Sequence, residues 1–200
     1  MMIINDDFIP KRKKSDRLPP GQYEERGFPV LSMGPTPDVE IDQWSLTIDG
    51  LVEKPTTWNW DEFEQLPHQN VTKDIHCVTK WSKFDTKWAG VSLDDIIMMV
   101  NVLPNATHIV AHSYDGYTTN LPIEDISDGK AMVATSYDMD PIEAEHGGPA
   151  RLLVPHLYFW KSAKWLKRIE FVDRDIPGFW ERNGYHNYGD PWQEQRYTFD

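Results

Sequence analysis

Residues 74–82 read Asp-Ile-His-Cys-Val-Thr-Lys-Trp-Ser and hold the chain's one cysteine. The run from 70 to 78 is rich in β-branched side chains and predicts a strand. Cys77 therefore falls at a strand end, where side chains project into loop-built clefts. A lone cysteine also has a plain reading, as a small buried hydrophobe. How this strand joins its neighbours decides the fold.

Outward from it, strands and helices mix without regular alternation. WSLTIDGLV (44–52) alternates apolar and polar residues and turns at Asp49-Gly50, as a strand does. Further strands are expected at 107–114, 131–137, 151–155 and 167–173. Residues 57–67 predict a short helix with acids in its first turn and Pro67 at its end. Ser92 caps a second helix over 92–100, and 121–127 predicts a third. This pattern is α+β with a mixed β-sheet, not a doubly wound fold. Residues 1–40, with six prolines, are expected as an extended arm carrying an apolar clip at Phe28–Leu31. Residues 41–200 form the domain, and its aromatic, Gly- and Pro-rich end wraps over the body.

Composition narrows the function. Two hundred residues with 40% hydrophobic side chains suit one medium globular domain. Twenty basic against 32 acidic residues give a net charge of −12, which argues against nucleic acid as a partner. One cysteine excludes an internal disulfide and a four-cysteine iron–sulfur cluster of this chain alone. No apolar run reaches the length of a membrane span. The basic patch near the start has no apolar run behind it and no Arg-Arg pair, so a cytoplasmic location is expected.

Two constellations carry chemistry. At the first, His76 and Lys80 flank Cys77 and favour a thiolate, which serves as a nucleophile or as a ligand for a soft metal. No local motif chooses between these. The second is HGGPARLLVPHLYFWKSAKWLKR (146–168). Gly147-Gly148-Pro149 allows close backbone approach to a ligand. Arg151, Lys161, Lys164, Lys167 and Arg168 then follow without an acid. With Ser162 and nearby backbone N–H groups they read either as a phosphate site or as a solvated basic face. A ligand that carries both a metal and a phosphate accounts for both constellations, and molybdopterin is one.

The order of motifs resembles the molybdopterin-binding domain of the sulfite-oxidase superfamily. The matching pieces are W-x-L-x-I-D-G-L-V (44–52), H-C-V-T-K-W-S (76–82), W-A-G-V (88–91), S-Y-D-G-Y (113–117), G-G-P-A-R-L-L-V-P (147–155) and W-K-S-A-K-W (160–165). The tail, G-F-W-E-R-N-G-Y-H with G-D-P-W, is similar to that of small stand-alone members. The resemblance implies the sulfite-oxidase-type fold and a Mo-molybdopterin cofactor. It implies Cys77 as the molybdenum ligand and catalytic residue. It implies that Arg151, Ser162, Ala163 and Lys164 hold the pterin and its phosphate, with Phe28, His112 or Ser113, and His146 beside it. His76 is a further pocket candidate. The pattern C-V-x-x-W-S is similar to that of the catalytic subunit of protein-methionine-sulfoxide reductase. Thr79, Lys80 and Ser82 stand where sulfite oxidases have Gly, Asn and Arg.

The function expected from these residues is oxygen-atom transfer at a Cys77-ligated molybdenum. The small-molecule substrate is a sulfoxide or N-oxide, and a separate electron-transfer partner supplies electrons. Two alternatives stand beside it: a non-catalytic module that binds or carries the cofactor, and a cysteine hydrolase. Oligomeric state is left open by the sequence.

Overall fold

Alternating residues of the run after Trp44 point the same way, and the molecule buries that face. In the computed structural model, which describes residues 16–200, Leu46 and Ile48 lie fully buried on one side of a strand. Burial of each such side chain contributes about 1.5–3 kcal/mol. The basic patch at the start of the chain lies outside the described residues.

The strands and helices, in chain order, are β1 (Tyr23–Glu24), β2 (Ser45–Gly50), β3 (Thr56–Asn59), α1 (Trp60–Glu64), β4 (His68–His76), β5 (Trp81–Ser92), α2 (Leu93–Val100), β6 (His108–Ser113), β7 (Thr118–Pro122), β8 (Met132–Tyr137), β9 (Asp140–Pro141), β10 (Arg151–Leu153), β11 (Leu166–Val172) and α3 (Phe179–Arg182). They form two mixed sheets. One runs β3-β2-β11-β6-β7 and is antiparallel except for the parallel pair β2–β11. The other runs β1-β5-β8-β10, with β4 beside β5 and β9 beside β8. Here only β1–β5 is parallel. Short helices with mixed sheets make the expected α+β fold.

Local chemistry sets most boundaries. The Ser92 side chain accepts from Asp94 N and starts α2. Asn59 and Glu62 form a reciprocal capping box that starts α1. That box corrects the expected helix over 57–67. Thr57 and Trp58 pair with Thr47 and Leu46 instead, so the first part of the segment is strand β3. The expected helix over 121–127 shrinks to a single 3₁₀ turn at Ile123–Asp125, because Leu121 and Pro122 belong to β7.

Two apolar clusters result. The larger lies around the five-stranded sheet and α2, with Trp44, Phe63 and Phe171 among its bulky members. The smaller gathers Cys77, Trp81, Trp88, Tyr158, Phe159 and Trp160. Segments near both ends of the described residues close over this second cluster. β1 docks on the start of β5, and the segment after α3 bonds back through Tyr158 N to Gly189 O at 2.8 Å. Among the described residues no helix is long and apolar enough to cross a membrane.

Candidate functional site

β4 and β5 are two arms of a hairpin, and the tight turn between them carries Cys77. Cys77 N donates to Trp81 O at 2.8 Å, and Lys80 N donates to Cys77 O at 3.0 Å. Lys80 closes the turn in the left-handed region, at φ +79°. Cys77, Val78, Thr79 and Trp81 form one wall of a cavity of about 310 Å³. Aromatic rings of Phe159, Trp160, Trp165, Trp180 and Tyr185 form much of the remainder. The arm residues Phe28, Pro29 and Leu31–Met33 border it on the outside.

Ser113, Asp115, His146, Arg151, Ser162 and Lys164 bring the polar chemistry. Arg151 opens β10 with its guanidinium buried. It donates to His146 O at 2.6 Å and to Ser162 O at 2.7 Å, and lies over the Phe159 ring at 4.2 Å. No carboxylate pairs with it among the described residues, and burial pushes its pKa down to about 9. Lys164 is half-buried. Its ammonium donates to Glu145 O at 2.7 Å and reaches Ser32 Oγ at 3.3 Å across to the arm. Burial first, and then Arg151, bring its pKa down to about 8. Two cations without a carboxylate partner at one end of a cavity make a receptor for an anion.

Gly147 and Gly148 let this segment close up. A Cβ on Gly147, at φ +107°, would lie 2.9 Å from Lys164 Cβ, and one on Gly148 would lie 2.0 Å from Ile142 O. The close approach expected of this pair is thus to the protein's own backbone and to Lys164. The expected backbone nest is also reduced. Lys161 N and Ser162 N donate within the turn to Tyr158 O and Phe159 O, while Ser162 Oγ accepts from Val154 N at 2.8 Å.

Three buried polar atoms of cavity-lining residues have no partner: Trp81 Nε1, Ser113 Oγ and His146 Nδ1. A buried polar group left unpaired costs about 1–3 kcal/mol. All three belong to residues that line the cavity, so a heteroatom-rich ligand there is the partner class they call for. The fit to a phosphorylated pterin is good: aromatic faces for a flat ring, polar atoms for its edge, and two cations for its phosphate.

The other expected site residues are placed as follows. Ala163 is buried between Ser162 and Lys164, and its carbonyl accepts from Leu152 N at 2.8 Å. His76 is buried behind the turn, with Nδ1 2.8 Å from Ser82 Oγ, and does not line the cavity. Burial brings its pKa down to about 4. His112 lies on β6, with Nε2 3.3 Å from Glu170, and is not among the lining residues. Ser113, one residue on, is. Of the aromatics that the sequence offers for the pocket mouth, Trp81, Tyr117 and Tyr185 line the cavity and Trp88 and Tyr114 do not, while Asp115 and Trp180 line it with no signal in their spacing.

The expected redox centre on Cys77 is corrected by the arrangement of donors. Among the described residues, the side chains whose ligand atoms gather within 4.8 Å of one another are Glu143, Glu145 and His146. Cys77 is not one of them. It is a single unpaired cysteine, 8% exposed. Burial pushes its thiol pKa up, toward the protonated form, and the Thr79 hydroxyl, 3.1 Å from Sγ, only partly opposes this. A histidine and two glutamates without sulfur are not the cysteine-held centre expected. Oxygen-atom transfer at a Cys77-ligated molybdenum is thereby overturned, and the cofactor-binding alternative fits these side chains better.

Comparison with known proteins agrees with the fold. The model of the family described as "Oxidoreductase molybdopterin binding domain" matches residues 33–180. A Bacillus subtilis protein named "Uncharacterized oxidoreductase YuiH" is 43% identical over 197 residues, covering 96% of this chain and all of that protein. The protein-methionine-sulfoxide reductase catalytic subunit MsrP of Ralstonia nicotianae is 27% identical over 73% of this chain and 49% of its own length. The mitochondrial sulfite oxidase of Drosophila melanogaster is 28% identical, and the match covers 80% of this chain but 33% of that protein. Among solved structures, the sulfane dehydrogenase SoxCD of Paracoccus pantotrophus superposes with a TM-score of 0.64 at 22% identity, over 70% of this chain and 40% of that one. That last likeness speaks for the fold alone. On the family match and the full-length relative, this chain belongs to the oxidoreductase molybdopterin-binding domain family.

Proposed function

We propose that the chain binds Mo-molybdopterin in this cavity and serves as a binding or carrier module for it. The observation that carries the reading is the pairing of Arg151 and Lys164, two cations without carboxylate partners, at one end of an aromatic-lined cavity. Arg151, Ser162 and Lys164, with Ala163 between the last two, hold the phosphate. Ser113, His146 and the Trp81 indole N–H meet the pterin edge. Phe28 covers it from the arm side. Binding relieves the unpaired polar atoms and compensates the buried charge. The metal, when bound, supplies whatever redox chemistry the module takes part in. Recognition here rests on anion and ring contacts, not on a bond to Cys77. A separate protein partner belongs to the same reading, since MsrP relatives are named as catalytic subunits.

The test is the cofactor content of protein purified from a molybdopterin-producing host. Released pterin is measured by fluorescence after oxidation, and the metal by mass spectrometry. Near-stoichiometric pterin in the wild type, falling in Lys164→Met and Arg151→Gln, supports the reading. A folded wild-type protein without pterin refutes it.

A further inference from the structure

The cavity wall that carries Cys77 is a five-residue turn with few internal bonds and one residue in the left-handed region. Outside glycine and Asn or Asp, that conformation costs on the order of 1–2 kcal/mol. Groups outside the turn bind its carbonyls, and one of them is the backbone of β1, where Tyr23 N donates to Lys80 O at 2.9 Å. Two side chains do so as well, and they come from opposite ends of the chain. Gln22, beside β1, donates from Nε2 to Cys77 O at 3.0 Å and to Trp81 O at 3.2 Å. Arg196, near the C-terminus, donates from Nη1 to Val78 O at 2.8 Å. Its Nη2 lies 3.3 Å from both Pro20 O and Gln22 Oε1. Arg196 is 6% exposed, and its guanidinium sits 4.9 Å over the Tyr158 ring. The nearest carboxylate, Glu194, is 3.7 Å away and half-exposed.

We infer that Arg196 is the positioning residue of the Cys77–Trp81 turn, fastening the tail, the N-terminal segment and this cavity wall into one unit. The geometry is specific. One planar cation meets three acceptors, Val78 O on the turn and Pro20 O and Gln22 Oε1 on the N-terminal segment, which the fork of an arginine can do and a lysine ammonium does less well. Removal of the guanidinium leaves Val78 O without that donor and frees Gln22 Oε1, so the hold on the turn weakens from both sides. As a statement about cofactor binding, the inference rests on the proposed function. As a statement about the turn, it stands without it.

The lone cysteine makes the turn directly observable. Alkylation of Cys77 by iodoacetamide in the full chain, followed by mass, reads local opening of this wall. Arg196→Met is expected to speed alkylation by about tenfold or more, and Arg196→Lys by an intermediate factor. Leu46→Ala, in the core of the other sheet, is the control: it lowers thermal stability and leaves the alkylation rate near that of the wild type. Should Arg196→Met not fold, Gln22→Leu tests the same brace and is expected to speed alkylation severalfold. An Arg196→Met rate within about twofold of wild type, or a Leu46→Ala rate as fast as that of Arg196→Met, overturns the inference. Pterin retention is measured in the same samples. A wild type without pterin sinks the proposed function while the alkylation rates still decide the role of Arg196. A wild type that holds pterin, with Arg196→Met alkylated at the wild-type rate, sinks only this inference.

Discussion

Phe28 lies flat on His146, with ring centroids 4.0 Å apart and planes 8° from parallel. The stack joins the N-terminal arm to the polar end of the cavity, beside Lys164, which itself reaches Ser32 of the arm. Phe28 also meets the edges of Trp81 and Trp88. The arm is thus a wall of the site.

Phe28→Ala removes that wall. Loss of the ring is expected to cost about 1–3 kcal/mol of apolar burial and aromatic contact. Bound pterin should dissociate faster, by tenfold or so, with Phe28→Leu between the two. Stopped release followed by pterin fluorescence measures it. Equal release rates in wild type and Phe28→Ala would show that the arm does not cover the ligand.

Lys161 and Glu181 form a buried pair at 2.7 Å, each side chain 1% exposed. Lys161 also donates to Asn187 O and Asn120 Oδ1, and Glu181 accepts from Thr119 and Trp160. This cluster pins the C-terminal segment to the body. Lys161→Met strands the carboxylate and is expected to cost about 3–5 kcal/mol in denaturant unfolding. The double variant with Glu181→Gln should recover part of that loss. A Lys161→Met protein as stable as wild type would contradict the assignment.

Lys164 gives the site a pH dependence. In the free protein its pKa lies near 8, below the ordinary lysine value, because of burial and of Arg151. Below that pH the ammonium is charged and attracts an anion. Above it the anion must recharge the amine, so affinity falls as pH rises. The free protein itself gains stability as pH climbs from about 8 toward 10.5, where the unfolded chain holds more protons than the folded one. Cofactor affinity measured from about pH 6 to about pH 9 should decline through about 8 in wild type and stay flatter in Lys164→Met. A flat wild-type profile would count against a Lys164–phosphate contact.

His76 acts at the acid side. Buried beside Ser82, it titrates near 4 in the folded chain against 6.5 as its ordinary value. The unfolded chain binds the extra proton between those values, so stability is lost as pH falls from about 6.5 to about 4. The shift corresponds to on the order of 3 kcal/mol. His76→Asn, which keeps a partner for Ser82 without titrating, should flatten the thermal midpoint over that window. If its acid profile matches the wild type, another group is responsible.

Sequence pattern displays some parts of this molecule and conceals others. The strand at 45–50 shows because buried and partly exposed residues alternate along it, those at 108–113 and 132–137 show as short apolar and β-branched runs that are buried on both faces in part, and α2 shows because Ser92 caps it. β5 is hidden. Its middle, Lys83 to Lys87, is polar, and the turn leading into it uses Lys80 in a left-handed conformation with no glycine to mark it. Arg151, Ser162 and Lys164 stand out through a local reversal of charge in an acidic chain. His112 stands out equally, yet it faces Glu170 across the strand pair, because side-chain direction on β6 places Ser113 on the cavity side instead. Gln22 and Arg196 carry no local signal at all. Their role exists only once the segments that carry them meet at the Cys77 turn, about 120 residues from one of them. The cysteine itself misleads in the opposite direction, since its place beside a histidine suggests a thiolate, whereas burial favours the neutral thiol.

The most direct test of the account is the pterin content of the wild-type chain and of Lys164→Met, both purified in folded form from a host that makes molybdopterin. Near-stoichiometric pterin in the former and a severalfold loss in the latter is the predicted result. A folded wild type that carries no pterin, or a Lys164→Met protein loaded as fully as the wild type, would contradict it.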